Sequence, residues 1–276
     1  MKQRKTDHFK KKPFISIIVP AYRAEKTIKK NLLEVKEVMD DLKKPYEIIC
    51  VVDGTVDNTE KEAKKVEEKH PKKVKVFSYL TNLGKGHAVR FGMAKAKGDI
   101  IGFLDAGLEI NPDAIPLIIE HMNWYEADAI IASKRHQASR VEYPWQRRLL
   151  SFGYQLLVRV LFGLKVKDTQ VGLKVFKREL LEKVMPRLMV KEFAFDIEIL
   201  SVAGKLGYKK IFEAPVEMRM IFGSSTIASK GFRKTILKML TDTLAVFYRL
   251  KIKKYYDIKN KKYWITPKYL TLDKKK

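Results

Sequence analysis

Two carboxylates stand just beyond a short apolar run in the middle of the chain. Asp105 directly follows Ile100–Leu104, and Glu109 comes four residues later in a turn-forming context. A run of β-forming residues bounded in this way predicts a buried strand. Ligands of open α/β sheets bind beyond the carboxyl ends of the strands, where carboxylate oxygens can hold a divalent cation and, through it, a phosphate. The alternative is that Asp105 only caps the turn before Asn111-Pro112.

Three other polar motifs follow apolar runs in the first half of the chain. They are Pro20-Ala21-Tyr22, Asp53-Gly54 and Lys85, which stands between two glycines. The Asp53 carboxylate can accept hydrogen bonds from a nucleobase or ribose, and Lys85 can reach a phosphate because glycine lets the backbone approach closely. Each motif alone is typical of a surface turn. Four of them in the same strand-to-helix order predict a nucleotide site.

Strands and helices that position these motifs alternate along the first half. Apolar runs predict strands, and apolar residues at helical spacing predict the helices between them. The predicted strands cover 15–19, 46–52, 74–79, 100–104 and 128–132, and the predicted helices cover 27–42, 58–70, 87–97 and 113–125. This alternation predicts an α/β fold with a mostly parallel central sheet and helices on both faces. The motifs at the strand ends would then meet at one edge.

Composition and missing motifs exclude several classes of protein. A hydrophobic content of 46% in 276 residues is enough for a substantial core, which argues against a disordered chain. One cysteine, Cys50, gives no disulfide or zinc cluster and indicates a reducing compartment. The sequence has no GxxxxGK[ST], and no GxGxxG follows the first strand, which argues against a P-loop NTPase and a dinucleotide-dependent oxidoreductase. The net charge is +25, but the basic residues are not accompanied by a nucleic-acid recognition motif, so no nucleic-acid partner is expected.

Two segments of the second half combine apolar and basic residues at helical spacing. They begin at Arg147 and at Phe232, and neither contains the ~20 apolar residues needed to cross a bilayer. Basic amphipathic helices of this kind favour an anionic membrane surface. The alternative, helices packed on the domain with a solvated basic face, remains open. A further helix would place Asp196 and Glu198 on different sides, so we expect one to face inward and the other to meet solvent.

Taken together, the motifs resemble those of inverting glycosyltransferases of the GT-A type, family 2, and among these the polyisoprenyl-phosphate hexose synthases. The resemblance rests on residues 19–22, 53–59, 82–90, 105–109, 168–174 and 193–198. Val52 and Gly107 stand where the family has acids. The resemblance implies a GT-A domain over residues 13–230, after a basic arm at 1–12 and before a basic amphipathic helix and tail at 231–276.

The resemblance also implies roles for individual residues. Mg²⁺ or Mn²⁺ would bind Asp105 and Glu109. The nucleotide sugar would contact Pro20, Ala21, Tyr22, Glu25, Asp53, Gly54, Lys85 and Asp105. The acceptor phosphate would contact Arg135, Arg147 and Ser151, since guanidinium groups hold phosphate oxygens well. Asp168, Gln170 and Asp196, together with Asp105, are the expected catalytic residues.

The activity implied is transfer of a hexose from UDP-glucose or GDP-mannose to dolichyl or polyprenyl phosphate, with inversion at the anomeric carbon. The enzyme would be cytoplasmic and peripheral on the cytosolic face of a membrane, docked on anionic lipid directly or through a membrane anchor subunit. Two alternatives remain. One is a GT-A glycosyltransferase with a non-lipid acceptor, and the other is a non-catalytic sugar-nucleotide-binding membrane scaffold. The sequence does not distinguish the sugars or the bases.

Overall fold

The computed structural model describes residues 12–139, 145–219 and 232–272, and the side chains of 145–151 and 232–235 lie outside the described part. The strands are β1 (Ile15–Ala21), β2 (Tyr46–Asp53), β3 (Val74–Tyr79), β4 (Ile100–Leu104), β5 (Ala129–Ser133), β6 (Leu173–Lys177) and β7 (Ile211–Pro215). The helices are α1 (Ile28–Asp41), α2 (Thr59–Lys69), α3 (Lys85–Lys95), α4 (Ala114–Trp124), α5 (Trp145–Phe162), α6 (Arg178–Val184), α7 (Phe195–Lys205) and α8 (Phe232–Phe247).

The seven strands form one mixed sheet in the order β3-β2-β1-β4-β6-β5-β7. β6 runs antiparallel to both of its neighbours, and the remaining pairs are parallel. Leu104 at the end of β4 pairs with Leu173 at the start of β6. The loop that leads into β6 therefore reaches the same edge of the sheet as the carboxyl ends of the parallel strands.

Burial of β2 shows that helices cover both faces of the sheet. Every residue of Tyr46–Asp53 is buried, although successive side chains of a strand point to opposite faces. α1 buries Ile28, Leu32, Val35 and Met39, the apolar positions that the helical spacing predicted. The predicted α/β class with a mostly parallel, mixed sheet is confirmed.

α5 and α8 pack against each other at the margin of the sheet domain. Phe162 and Phe247 make an edge-to-face ring contact with centroids 6.2 Å apart, and the hydroxyls of Tyr154 and Thr243 are hydrogen-bonded at 2.8 Å. Within the described residues, no helix has the length and apolar character needed to cross a membrane. The division of the chain at residues 12 and 231 stays a prediction, because 1–11 and 220–231 lie outside the described part.

Candidate functional site

Asp105 lies where β4 ends beside the start of β6. Its backbone N–H donates to the carbonyl of Gly172 at 2.9 Å, which joins the two strand ends. A Cβ at position 172 would lie 2.5 Å from Oδ2 of Asp105. Gly172 thus leaves the space that the Asp105 carboxylate occupies.

Two lysines and two aspartates form a connected cluster at this edge. Nζ of Lys85 lies 2.8 Å from Oδ1 of Asp105 and donates to its Oδ2 at 2.9 Å, and it is 4.0 Å from Oδ2 of Asp196. Nζ of Lys174 donates at 2.6 Å to Oδ1 of Asp196 and also at 2.6 Å to the carbonyl of Val171. The side chain of Lys174 is fully buried, whereas that of Asp105 is 42% exposed. The cluster therefore runs from the core to the open edge of the sheet.

The electrostatics of the cluster distinguish the two lysines. Burial acts to lower the pKa of Lys85, but the carboxylates of Asp105 and Asp196 outweigh it and raise that pKa. Burial lowers the pKa of Lys174, against the attraction of Asp196, and the charge of Lys85 lowers it further. Lys85 is therefore a stable cation that faces the site, where it can stabilise an anionic leaving group. Sequence reasoning missed Lys174, although a lysine inside the apolar strand Leu173–Lys177 is a recognisable signal.

Lys85 lies in a glycine loop, residues 84–86, which packs against the segment that precedes α7. Gly84 has φ +99°, and a Cβ there would lie 2.6 Å from the carbonyl oxygen of Lys191. A Cβ at Gly86 would lie 2.5 Å from Cβ of Phe195. The backbone N–H of His87 donates to the carbonyl of Lys191 at 2.9 Å. Both glycines are thus required by the close approach of the two segments.

Asp53, at the end of β2, also supports this loop. Its buried carboxylate accepts hydrogen bonds from the backbone N–H groups of Leu83 at 2.7 Å and Gly84 at 3.0 Å, and from the Tyr79 hydroxyl at 2.9 Å. Gly54 follows with φ +92°. The structure assigns Asp53 a role in shaping the glycine loop, and its predicted contact with the nucleoside stays a prediction.

The other predicted nucleotide residues lie after β1, which is the neighbour of β2. Pro20 and Ala21 are still in the strand, and Tyr22 is exposed beyond its end, with the Arg23 guanidinium 5.3 Å from its ring centroid. Glu25 accepts hydrogen bonds from the backbone and the side chain of Asn58, at 3.1 and 3.3 Å, just before α2. These residues share the edge of the sheet that carries Asp53 and Asp105.

Few side chains at this edge of the sheet could bind a metal ion. Among the described residues, no group of three or more His, Cys, Asp or Glu side chains could hold an ion. Glu109 follows Asp105 by four residues and is exposed, and its charge contributes to raising the pKa of Lys85. Mg²⁺ commonly binds through one or two carboxylates, with the remaining positions taken by substrate phosphates and water. Asp105 and Glu109 fit that mode of binding.

The predicted catalytic residues of the loop before β6 lie at the same edge. Oδ2 of Asp168 accepts from the backbone N–H of Lys134 at 2.9 Å, and Oε1 of Glu213 accepts from the backbone N–H of Asp168 at 3.0 Å. Nε2 of Gln170 is buried and has no hydrogen-bond partner among the described residues. A buried amide without a hydrogen-bond partner destabilises the fold unless a bound ligand accepts its hydrogen bond. Glu213, which fixes this loop from β7, had no recognisable signal in the sequence.

The predicted acceptor residues are described only in part. Arg135 follows β5, and its guanidinium lies 6.0 Å from the ring centroid of Phe152 on α5. Arg147 and Ser151 are on the first turns of the same helix, but their side chains lie outside the described residues. The structure thus brings Arg135 next to the helix that carries the other two.

The expectation that either Asp196 or Glu198 meets solvent is wrong. Both side chains are buried, Asp196 at 1% and Glu198 at 0% exposure. Asp196 faces the lysine cluster, whereas Glu198 accepts hydrogen bonds from the backbone N–H groups of Met189 and Val190. The helical geometry correctly predicted that the two side chains point in different directions, but other parts of the domain cover both sides of α7.

The family follows from a match along most of the sheet. The sequence profile described as Glycosyl transferase family 2 matches residues 16–185, which include β1 to β6 and the Lys85–Asp105 pair. The chain belongs to glycosyltransferase family 2. The predicted family is therefore confirmed.

Two relatives are similar to this chain in sequence, and one solved structure is similar to it in fold. A dolichyl-phosphate beta-glucosyltransferase of Trichomonas vaginalis is 31% identical over 86% of this chain and 74% of its own length. A dolichol-phosphate mannosyltransferase of Pyrococcus furiosus is 30% identical over 86% of this chain and 63% of its own length. Glucosyl-3-phosphoglycerate synthase of Mycobacterium tuberculosis, solved with Mn²⁺, UDP and phosphoglyceric acid, has a TM-score of 0.61 and 18% identity over 86% of this chain and 78% of that one. The last likeness concerns the fold.

Proposed function

We propose that this glycosyltransferase moves a hexose from a nucleotide sugar to dolichyl or polyprenyl phosphate at the cytosolic surface of a membrane. The observation that carries the proposal is the Lys85–Asp105 pair at the carboxyl edge of the sheet, where the loop with the unpaired amide of Gln170 also leads into β6. The names of the relatives support a polyprenyl-type phosphate as the acceptor.

The side chains of the cluster suit departure of a nucleoside diphosphate. A phosphate oxygen of the acceptor attacks the anomeric carbon, and the bond from that carbon to the diphosphate oxygen breaks with its electron pair on the diphosphate. The Lys85 ammonium stabilises the negative charge that develops there. Asp105 and Glu109 would hold Mg²⁺ or Mn²⁺, which adds positive charge at the same phosphates. The acceptor is already an anion, so the attack needs no strong general base.

Binding of the acceptor phosphate is assigned to the junction of β5 and α5. Arg135 lies there, and α5 also carries Arg147 and Ser151. Two guanidinium groups offer the paired donors that a phosphate monoester accepts. Asp168 and Gln170 lie across the same edge, on the loop that enters β6, and would face the sugar.

The α5–α8 pair is proposed as the surface that meets the membrane. Each helix presents large apolar side chains that are more than half exposed, and these are Phe152, Leu156 and Val160 on α5 and Leu237 and Leu244 on α8. The α5 residues recur every four positions and so form one stripe. Apolar stripes on a chain of net charge +25 suit an anionic lipid surface. A membrane anchor subunit bound to the same stripe is the other means of docking.

A transfer assay tests the proposal directly. The purified chain is incubated with Mg²⁺ or Mn²⁺ and a panel of UDP- and GDP-sugars, on liposomes of neutral and anionic phospholipid with or without polyprenyl phosphate. We expect a lipid-linked hexose from one donor, only when polyprenyl phosphate is present. UDP-glucose and GDP-mannose are the first donors to compare, because the relatives' names include both hexoses.

Other outcomes of this assay separate the alternatives. Transfer to a soluble acceptor without liposomes would favour a non-lipid acceptor. Nucleotide-sugar binding with neither hydrolysis nor transfer would favour a non-catalytic scaffold. A lipid-linked product that forms equally well after the α5 stripe is replaced by polar residues would remove α5 as the docking surface.

The metal assignment predicts that Gly107→Asp tightens binding of Mn²⁺. Gly107 is exposed, and a Cβ there would meet nothing within 4 Å, so a side chain can be accommodated. An added carboxylate two residues from Asp105 supplies one more oxygen ligand. We expect the Kd of Mn²⁺, measured by calorimetry with UDP present, to fall by about tenfold. Gly204→Asp, which adds the same charge on α7 where a Cβ also meets nothing, is the control and should leave the Kd unchanged. Equal affinities of wild type and Gly107→Asp would contradict the placement of the ion.

A further inference from the structure

Residues 248–272, called the C-terminal brace below, fold back from α8 onto the domain that carries the site. Three apolar side chains of the brace are buried against that domain, those of Tyr256, Leu270 and Leu272. Tyr269 packs against the rings of His87 and Phe91 on α3, with centroids 6.4 Å apart in both cases. The brace is thus part of the packed structure that surrounds the glycine loop, not a peripheral tail.

A buried carboxylate joins the brace to the segment before α7. Oε1 of Glu198 accepts a hydrogen bond from the Tyr256 hydroxyl at 2.8 Å. The same carboxylate accepts from the backbone N–H groups of Met189 and Val190, at 2.9 and 2.8 Å to Oε2. Nε of Arg249 donates to the Tyr256 hydroxyl at 3.1 Å. Nη2 of Arg249 also lies 3.7 Å from Oε1 of Glu198, so the Tyr256 hydroxyl and Arg249 together connect the brace to Glu198 and, through it, to residues 189–190.

Two further contacts hold the same segment from the brace. The Thr266 hydroxyl donates to the carbonyl of Leu188 at 2.7 Å, and Nη2 of Arg90 on α3 reaches Thr266 Oγ1 at 3.4 Å. Nε of Arg187 donates to the carbonyl of Tyr256 at 3.0 Å. Residues 187–190 are thus fixed on one side by the brace and on the other by α7.

This segment continues directly into the contact that shapes the glycine loop. The carbonyl of Lys191 accepts from the His87 N–H at 2.9 Å and lies where a Cβ at Gly84 would be 2.6 Å away. Little space separates the two backbones, so a shift of Lys191 must move residues 84–87. Lys85 lies between these contacts, and its ammonium is the group to which the proposed function assigns stabilisation of the leaving diphosphate.

We propose that Tyr256 is a positioning residue for Lys85, acting through Glu198 and residues 189–191. It does not contact the nucleotide sugar. The inference rests on the proposed function for the role of Lys85, but the structural coupling between the brace and the glycine loop stands independently of that role. Two elements far apart in the sequence, the brace and the loop at 84–86, would thus act together in catalysis.

Tyr256→Phe tests the proposal because it removes the hydroxyl and keeps the ring. We expect hydrogen–deuterium exchange to become about fivefold faster in peptides that cover 84–90 and 188–192, with no change in β1 and β2. We also expect kcat for transfer to fall by roughly tenfold, with the donor KM changed by less than about twofold, because Lys85 acts on charge that develops in the transition state.

Tyr46→Phe is the matched control. Tyr46 is also buried, and its hydroxyl also donates to a carboxylate, that of Asp40 on α1. If Tyr46→Phe lowers kcat as much as Tyr256→Phe, the loss reflects general destabilisation and the proposal is overturned. Unchanged exchange at 84–90 in Tyr256→Phe overturns it as well.

A milder variant covers the case in which Tyr256→Phe does not fold. Thr266→Val removes one hydroxyl from the half-buried contact with Leu188 and should produce the same pattern of exchange with a smaller loss of kcat. If wild type transfers no sugar to any acceptor, the proposed function fails, while the exchange measurements still decide whether the brace holds the glycine loop.

Discussion

Asp105→Asn is expected to lower kcat by about a thousandfold or more, which corresponds to roughly 4 kcal/mol of transition-state stabilisation. The substitution keeps the shape of the side chain and removes its charge. Asp105 is the carboxylate of the cluster that is open to solvent, at 42% exposure, and Lys85 contacts both of its oxygens. In the proposed mechanism, loss of the charge would remove a metal ligand and would also release the ammonium that stabilises the leaving diphosphate.

Two measurements and one control make this prediction specific. Steady-state transfer gives kcat, and calorimetry with UDP shows whether Mn²⁺ binding is lost in parallel. Asp128→Asn is the control, because Asp128 precedes β5 at the opposite edge of the sheet, where its backbone pairs with Lys177 and Lys210. That variant should keep the wild-type kcat. An Asp105→Asn enzyme with full activity would show that the reaction does not depend on this carboxylate.

The strands and helices of the first half could be predicted because their apolar patterns are local. β2 was predicted at 46–52 and is observed at Tyr46–Asp53, and the helix predicted at 27–42 is observed at Ile28–Asp41. The shared edge followed from the same pattern, since carboxyl ends of parallel strands lie together. This is why Lys85 and Asp105, twenty residues apart, were expected in one site and are in contact there.

Residues whose roles depend on distant partners could not be predicted in the same way. The carboxylate of Asp53 accepts three hydrogen bonds from residues 79–84, a role in shaping the glycine loop that its position in the sequence did not reveal. The Glu198 carboxylate accepts a hydrogen bond from Tyr256, which comes 58 residues later in the sequence. Lys174 lies on β6, which runs antiparallel beside β4, and it donates to Asp196 on α7, 22 residues later. Local periodicity carries no information about such pairings.

Lys174→Met is expected to lower the free energy of unfolding by about 3–5 kcal/mol, the usual cost of removing one partner of a buried ion pair. Lys174 is fully buried, and the Asp196 side chain is 2% exposed. Methionine fills a similar volume but carries no charge. The cation that remains for Asp196 in the cluster is Lys85, whose Nζ is 4.0 Å from Oδ2. The desolvated carboxylate would then lack its hydrogen-bond donor. Urea denaturation measures the effect as a lower midpoint.

The double variant Lys174→Met/Asp196→Leu separates stability from catalysis at this pair. Replacing both buried charges by apolar side chains is often neutral for stability. We therefore expect the double variant to recover most of the free energy of unfolding that Lys174→Met loses. We expect activity to stay low, since Asp196 also contributes to the charge balance around Lys85. A double variant no more stable than Lys174→Met would contradict the ion pair as the cause of the destabilisation. Full activity in the double variant would instead show that Lys85 and Asp105 suffice, and that the buried pair serves the fold alone.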